Sequence, residues 1–195
     1  MCRMWIQRSQ ESSMDGKPVG VVAEVHDARL ERLRSGENDA WEELIAETQA
    51  RLYNYVVYNV PSADDAKDLL SEVYLAALRS ISSLDSSSAL LRWLYAIARH
   101  KLADFWHQAR PVSELSDSLE DTPEGISLEF RETLAKLPQQ TRQALLLRYH
   151  EGLSVEEVAH ILGRSYKTTE SLLSRGRALL RAALDDRGEH EGTTV

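Results

Sequence analysis

From Val25 to Ala183 apolar residues recur at intervals of three and four, and the runs are separated by glycine, proline and short polar stretches. This period predicts helix after helix. A short amphipathic helix over 25–33 ends at Gly36. Asp39 followed three residues later by Glu42 has the pattern of a capping box, and Trp41, Leu44, Ile45, Leu52, Tyr55, Val56 and Val60 carry the apolar stripe of a helix stopped by Pro61. Ser62 then caps a third helix to about Ser80, with Ala66, Leu69, Leu70, Val73, Leu75, Ala77 and Leu78 apolar. Asp64, Asp65, Asp68 and Glu72 form its polar front, an arrangement that the helix dipole accounts for without any further role. After the polar loop Ser82–Ser88, a fourth helix over about 89–108 buries Leu91, Leu94, Ile97, Ala98, Leu102 and Phe105, while Arg92, Tyr95, Arg99, Trp106 and Arg110 fall on a neighbouring face.

The pattern then breaks. Between Pro111 and Gly125 stand Glu114, Asp117, Glu120, Asp121 and Glu124 with no Lys or Arg, and Pro111, Pro123 and Gly125 interrupt any helix, so 111–126 reads as an acidic linker. Helical periodicity resumes from about Ser127 to Lys136, is stopped at Leu137-Pro138, and resumes over about 139–150. In 153–163 Ser154 and Glu157 make a capping box, Val155, Val158, Ala159 and Leu162 keep the period, and Gly163 supplies the left-handed residue for a sharp reversal. Ser165 with Thr168 starts the last helix at once. Two helices joined by about three residues have the layout of a helix-turn-helix unit. The chain is thus expected to be all-α, with two small helical domains over 25–110 and 127–184 joined by that linker. A disordered leader over 1–24 and a polar, frayed tail over 185–195 complete the expectation.

Charge sharpens the picture. The chain of 195 residues carries a net charge of −8 with an ordinary 43% of hydrophobic residues, which excludes a general nucleic-acid coat. Yet between Gly163 and Arg181 Arg164, Lys167, Arg175, Arg177 and Arg181 stand against Glu170 alone. Such a face meets phosphate, while small polar side chains at the helix start reach base edges. The plainer alternative is two packed helices with a solvated basic face. Arg92, Tyr95, Arg99 and Trp106 likewise have two readings: rings and guanidinium groups interleaved to hold single-stranded nucleic acid, or core aromatics beside solvated arginines, which the residues alone favour. With Cys2 the only cysteine, neither a disulfide framework nor a cysteine-rich metal site is possible, in keeping with a cytoplasmic location. No apolar run reaches the roughly eighteen residues of a membrane span, and the first residues lack the apolar core of a signal peptide, so no membrane insertion is expected. The six histidines are scattered and no metal or phosphate-loop motif occurs, which speaks against an enzyme; His160 reads as a surface residue.

Three segments carry a resemblance. Asp65-Ala66-Lys67-Asp68-Leu69-Leu70-Ser71-Glu72-Val73-Tyr74-Leu75 resembles the DAEDLxQEVFL segment of bacterial sigma factors, Leu91 to Arg99 their AWLYxIARN segment, and Leu134 to Arg181 their fourth region. With only the second and fourth regions and a short linker, the chain resembles the extracytoplasmic function group. The resemblance implies a non-catalytic protein without cofactors or metal that directs RNA polymerase to promoters. It further implies that Asp65, Asp68, Leu69, Glu72 and Val73 grip the beta-prime clamp helices of core polymerase, with the beta flap as a second contact. Ser86 and Ser87 in the loop would accept a flipped base of the minus-ten element, and Arg92, Tyr95, Arg99 and His100 would hold the melted strand. Arg164, Tyr166, Lys167, Thr168, Glu170, Ser171, Ser174 and Arg175 would read the minus-thirty-five element, and an anti-sigma factor is implied as a further partner. The linker would lie inside the polymerase. Glu170 and Leu172 depart from the family's TVKSRLSRAR pattern, replacing a lysine and an arginine. The rival is a helix-turn-helix regulator governed by an N-terminal ligand-binding or dimerisation bundle, which would need neither the 64–75 nor the 92–99 motif.

Overall fold

The computed structural model describes residues 28–108 and 128–191. Among them every regular element is a helix and no strand occurs, as the apolar period predicts. In chain order these are α1 (28–34), α2 (Asn38–Val57), α3 (Ala63–Ser80), α4 (Leu90–Gln108), α5 (Leu128–Ala135), α6 (Gln139–Leu145), α7 (Val155–Leu162) and α8 (Tyr166–Glu191). The expected leader, the whole of the acidic linker and the last four residues lie outside the described residues.

In the first half α3 packs on α2 and α4. Leu33, Leu44, Leu52, Tyr55, Val73, Leu94 and Leu102 form its interior, each almost wholly removed from water. Polar groups lock the helices where side chains cross: the Trp41 indole N–H donates to the Leu33 carbonyl at 3.0 Å, and the Thr48 hydroxyl pairs with Tyr74 at 2.8 Å. Ser62 caps α3 as its sequence predicts, accepting from the Asp65 amide at 3.1 Å. The capping box expected at Asp39 and Glu42 does not form. Helix α2 begins one residue earlier with Glu37 at its cap position, and Arg32 of α1 takes both Glu37 carboxylate oxygens, at 2.9 and 3.2 Å. Between α3 and α4 the polar loop folds as two short 3₁₀ turns, Ile81–Ser83 and Ser87–Ala89.

In the second half, α6 runs into a five-residue π turn, Leu146–His150, closed by the Glu151 amide on the Leu146 carbonyl at 3.0 Å. The Ser154 and Glu157 capping box of α7 is complete, with bonds of 3.2 and 2.9 Å. Gly163 ends α7 at φ +62°, a left-handed conformation that costs other residues roughly 1–2 kcal/mol. Helix α8 packs against α6 and α7. It lies so close to α6 at Gly176 that a Cβ there would stand 2.7 Å from the Thr141 methyl and 3.2 Å from Leu145, a contact only glycine allows without movement. The backbone of α8 continues through Glu191, so the stretch from Asp185 that reads as a frayed tail is helical up to that point.

The two halves do not stand apart. One hydrophobic cluster runs from Leu30 through Leu102 and on through Leu134 to Leu173, and α7 packs directly on α4.

Candidate nucleic-acid interface

Helix α8 and the turn before it leave the residues expected at the minus-thirty-five element exposed. Arg164, Tyr166, Lys167, Thr168, Glu170, Ser171, Ser174 and Arg175 are all exposed, while Thr169 and Leu173 are buried beneath them. The helix start is fixed by the Ser165 hydroxyl, which accepts from the Thr168 amide at 3.2 Å, and by Thr169 donating to the Ser165 carbonyl at 3.0 Å. Arg164 donates to Gln140 at 3.0 Å. Arg177 donates to the hydroxyl of Tyr149, an exposed ring at the end of the π turn whose place beside this face periodicity did not foretell. Leu172, where the family pattern has arginine, packs partly against the core and does not belong to the exposed face. Glu170 does belong to it.

On α3 the acidic front divides. Asp68 and Glu72 are exposed, Glu72 paired with Lys101 of α4 at 3.0 Å. Asp65 accepts from the Ser62 hydroxyl at 2.6 Å and serves the helix cap. Leu69 and Val73, expected at a polymerase surface, are 4% and 0% exposed and belong to the core, because they share the inward stripe of Ala66, Leu70 and Ala77. Leu75 and Leu78, read as core positions, instead point outward at 51% and 49% exposure. Both lie on the far side of α3 from that stripe, a signal that helical spacing carries. Asp68, Glu72, Leu75 and Leu78 therefore make a mixed acidic and apolar face on which each leucine is about half exposed.

The residues expected at the minus-ten element are less accessible. Ser86 is half-buried, and Ser87 is buried with no hydrogen-bond partner for its hydroxyl. His100 stays exposed, its pKa lowered by burial of the ring and then by Arg99, against the opposing pull of Asp104. Arg92, Tyr95 and Arg99 lie at spacings of three and four along one stripe of α4, and the second half of the chain lies on that stripe. Arg92 pairs with Glu157 at 3.6 Å. Tyr95 is fully buried, edge to face with Tyr55 at 5.3 Å, and its phenol pKa is pushed up by burial and by the neighbouring Glu151 carboxylate. Arg99 donates to the Leu162 carbonyl at the C-terminus of α7, at 3.2 Å. His160 of α7 is half-buried rather than on the surface, its pKa lowered by burial and by Arg92. Trp106 is 40% exposed and donates its indole N–H to the Asn59 carbonyl at 3.0 Å.

Further polar contacts join the halves. Arg51 of α2 donates to the Glu151 side chain at 2.9 Å and to its carbonyl at 3.2 Å; the Glu151 side chain is only 3% exposed. Arg142 of α6 is buried, donating to the Asn59 side-chain carbonyl at 3.1 Å, and buried Arg131 of α5 donates to the Val57 carbonyl at 3.3 Å. Both guanidinium groups sit against the carbonyl end of α2, where the helix dipole favours a cation, and burial lowers the pKa of each. Among the described residues no three His, Cys, Asp or Glu side chains are grouped to hold a metal ion, and no helix is long and apolar enough to cross a membrane.

Comparison with known proteins places these halves. The model of sigma-70 region 2 matches residues 44–111 and that of sigma-70 region 4 matches 127–180. The ECF RNA polymerase sigma-E factor of Escherichia coli (strain K12) is 30% identical over 169 residues, covering 76% of this chain and 88% of that protein. ECF RNA polymerase sigma factor BldN of Streptomyces coelicolor is 31% identical over 80% of this chain, which spans 65% of that relative's length. RNA polymerase sigma factor YlaC of Bacillus subtilis is 29% identical over 78% of this chain and 96% of that protein. Among solved structures, CnrH in complex with the cytosolic domain of CnrY superposes with a TM-score of 0.66 at 26% identity, covering 82% of this chain and 96% of that one.

Proposed function

Because the chain belongs to the extracytoplasmic function family of RNA polymerase sigma factors, we propose that it binds core polymerase and directs it to promoters through α8 and the α4 stripe. The observation that carries the reading is the order of the two regional matches on the two halves, the second of which bears the exposed basic face of α8. The relatives named above are sigma factors, and the region 2 match covers the half in which a ligand-gated regulator would need a sensor; this favours the sigma reading over that rival. The chain contributes no catalytic step and acts where RNA polymerase acts, in the cytoplasm.

Each half takes one task. Asp68 and Glu72 with Leu75 and Leu78 form the face of α3 offered to the beta-prime clamp helices, because exposed leucines flanked by carboxylates suit a partner that buries apolar surface inside a charged rim. Leu69 and Val73 support that face from beneath. Arg92, Tyr95, Arg99 and His100 hold the melted strand, with Ser86 and Ser87 at the loop that takes a flipped base. Arg164, Lys167 and Arg175 set the register of α8 on phosphate, leaving Tyr166, Thr168, Glu170, Ser171 and Ser174 to face base edges. An anti-sigma factor is the expected regulator, as CnrY is a partner of CnrH.

Reconstituted transcription tests the whole. Added to core polymerase, the protein is expected to give initiation at fixed start sites on promoters of its host, and the absence of any start-site-specific transcript overturns the reading. A finer arm concerns Glu170, which is placed to accept from a cytosine amino group. Glu170→Lys is expected to change the preferred minus-thirty-five sequence in a selection from randomised promoters, by about 1–3 kcal/mol at one base pair. An unchanged preference removes Glu170 from base readout.

A further inference from the structure

We infer that Arg34, at the end of α1, positions the loop that takes the flipped base of the minus-ten element and so helps to set which base is preferred there. This rests on the assignment of Ser86 and Ser87 to that base made above.

The segment that carries Arg34 precedes the match to sigma-70 region 2, which starts at residue 44. It is nonetheless firmly placed. Leu30 and Leu33 are buried in the core, and Trp41 of α2 donates to the Leu33 carbonyl. Arg29 pairs with Glu47 at 2.7 Å, and Arg32 with Glu37 and Glu43 at 2.9 and 3.4 Å. From this fixed base Arg34 reaches a loop fifty residues further along the chain: its Nη2 donates to the Leu84 carbonyl, while its Nη1 is held by Glu31 at 2.6 Å. The rigid fork of a guanidinium serves both acceptors at once.

What the contact does follows from where Leu84 stands. Each of the two 3₁₀ turns of the loop is closed by a short-range bond of its own: the Leu84 amide on the Ile81 carbonyl at 3.1 Å, and the Ala89 amide on the Ser86 carbonyl at 3.2 Å. These bonds shape each turn but not the angle between them. That angle is set over 84–86, and there Leu84 is gripped twice, by burial of its side chain and by Arg34 at its carbonyl. Three residues on, Ser87 is 7% exposed, and its hydroxyl is buried with no hydrogen-bond partner among the described residues. A buried hydroxyl left unmet is costly, and a base edge entering the loop satisfies it. The aim of that hydroxyl is thus tied, through three residues of backbone, to a guanidinium on another helix. A loose joint would let the loop accommodate several bases, whereas a joint held by a charge-assisted hydrogen bond presents one arrangement of polar groups and rejects bases that leave it unpaired.

Two variants separate positioning from simple support of the fold. Arg34→Met keeps the apolar stem and removes the donors; Glu31→Ala removes the ion pair and leaves the Leu84 contact. Hydrogen exchange in the free protein reads the loop: the amides of 84–89 are expected to exchange at least severalfold faster in Arg34→Met and at the unmodified rate in Glu31→Ala. Promoter selection with core polymerase, from templates randomised at both elements, reads preference. Arg34→Met is expected to weaken discrimination at the flipped base at least severalfold and to leave the minus-thirty-five preference as it was. General destabilisation lowers the yield from all promoters alike and does not change the ratio between bases at one position. Circular dichroism establishes that each variant is folded, and Arg34→Gln replaces Arg34→Met if that variant does not fold. Faster exchange with a flattened preference, in Arg34→Met and not in Glu31→Ala, supports the inference. Unchanged exchange, or an unchanged preference at the flipped base, overturns it; the same changes in both variants trace to the ion pair within α1 and overturn it too. Ser87→Ala tells the failures apart. A preference that Ser87→Ala alters and Arg34→Met does not strikes the positioning role alone, whereas a preference that neither alters strikes the assignment of the loop and the inference with it.

Discussion

Replacing Tyr55 by alanine is expected to lower stability by about 3–5 kcal/mol, whereas Tyr55→Phe is expected to leave it unchanged or raise it slightly. The ring is 1% exposed and stands edge to face against Tyr95, so truncation removes a large apolar volume together with an aromatic pair at the centre of the fold. The hydroxyl contributes differently. It is buried with no hydrogen-bond partner, and removing it discards a desolvated group that nothing satisfies. Urea unfolding of the two variants separates the effects, and a loss of about 1 kcal/mol or more in Tyr55→Phe would show that the hydroxyl has a partner in solution. Burial raises the Tyr55 phenol pKa above its ordinary value. The folded state resists its ionisation, so this contribution is complete below about pH 10 and is lost as the pH climbs beyond it. That alkaline slope is expected to be shallower in Tyr55→Phe.

The second large effect is functional. The double substitution Arg92→Ala and Arg99→Ala is expected to reduce start-site-specific transcript by about 10²- to 10⁴-fold while core polymerase binding persists, because each guanidinium removed forfeits a charge-assisted contact of about 1.5–3 kcal/mol with the melted strand. The same substitutions take away two of the contacts that hold α7 on α4. The variant is therefore expected to be more expanded yet less active, a combination that general destabilisation would not give if its melting temperature stays near that of the unmodified chain. Run-off transcription at unmodified yield would remove both residues from strand holding.

What was legible in the sequence was local. Ser62, the Ser154 and Glu157 pair and Gly163 set helix ends through neighbours three residues away or through their own backbone, and all act in the structure as their positions predict. The exposed face of α8 was likewise readable, because charge and spacing on one helix decide it. Errors arose where distant elements decide. Glu37 displaced the predicted cap because Arg32 of another helix holds it. On α3, by contrast, the spacing of the helix itself turns Leu69 and Val73 inward and Leu75 and Leu78 outward, against what the motif resemblance implies for the first pair and their apolar character for the second. Arg131 and Arg142 are of the residue type least expected inside a protein, and their acceptors lie at the end of a helix far away in the chain. Tyr95 is buried as a core aromatic against Tyr55, the reading that its residue type alone favours.

The sequence separations of these contacts carry a consequence for the order in which the molecule forms. Arg51 and Glu151 are 100 residues apart, Asn59 and Arg142 are 83 apart, and Arg99 and Leu162 are 63 apart, whereas each half holds itself together largely through neighbouring helices. Long loops close late, since their entropy must be overcome before distant contacts reward it. On the ribosome the first half is complete before α7 has been made, and domains fold as they emerge. Every newly synthesised copy thus passes through an interval in which its α4 stripe is formed and bare, and the length of that interval is set by translation.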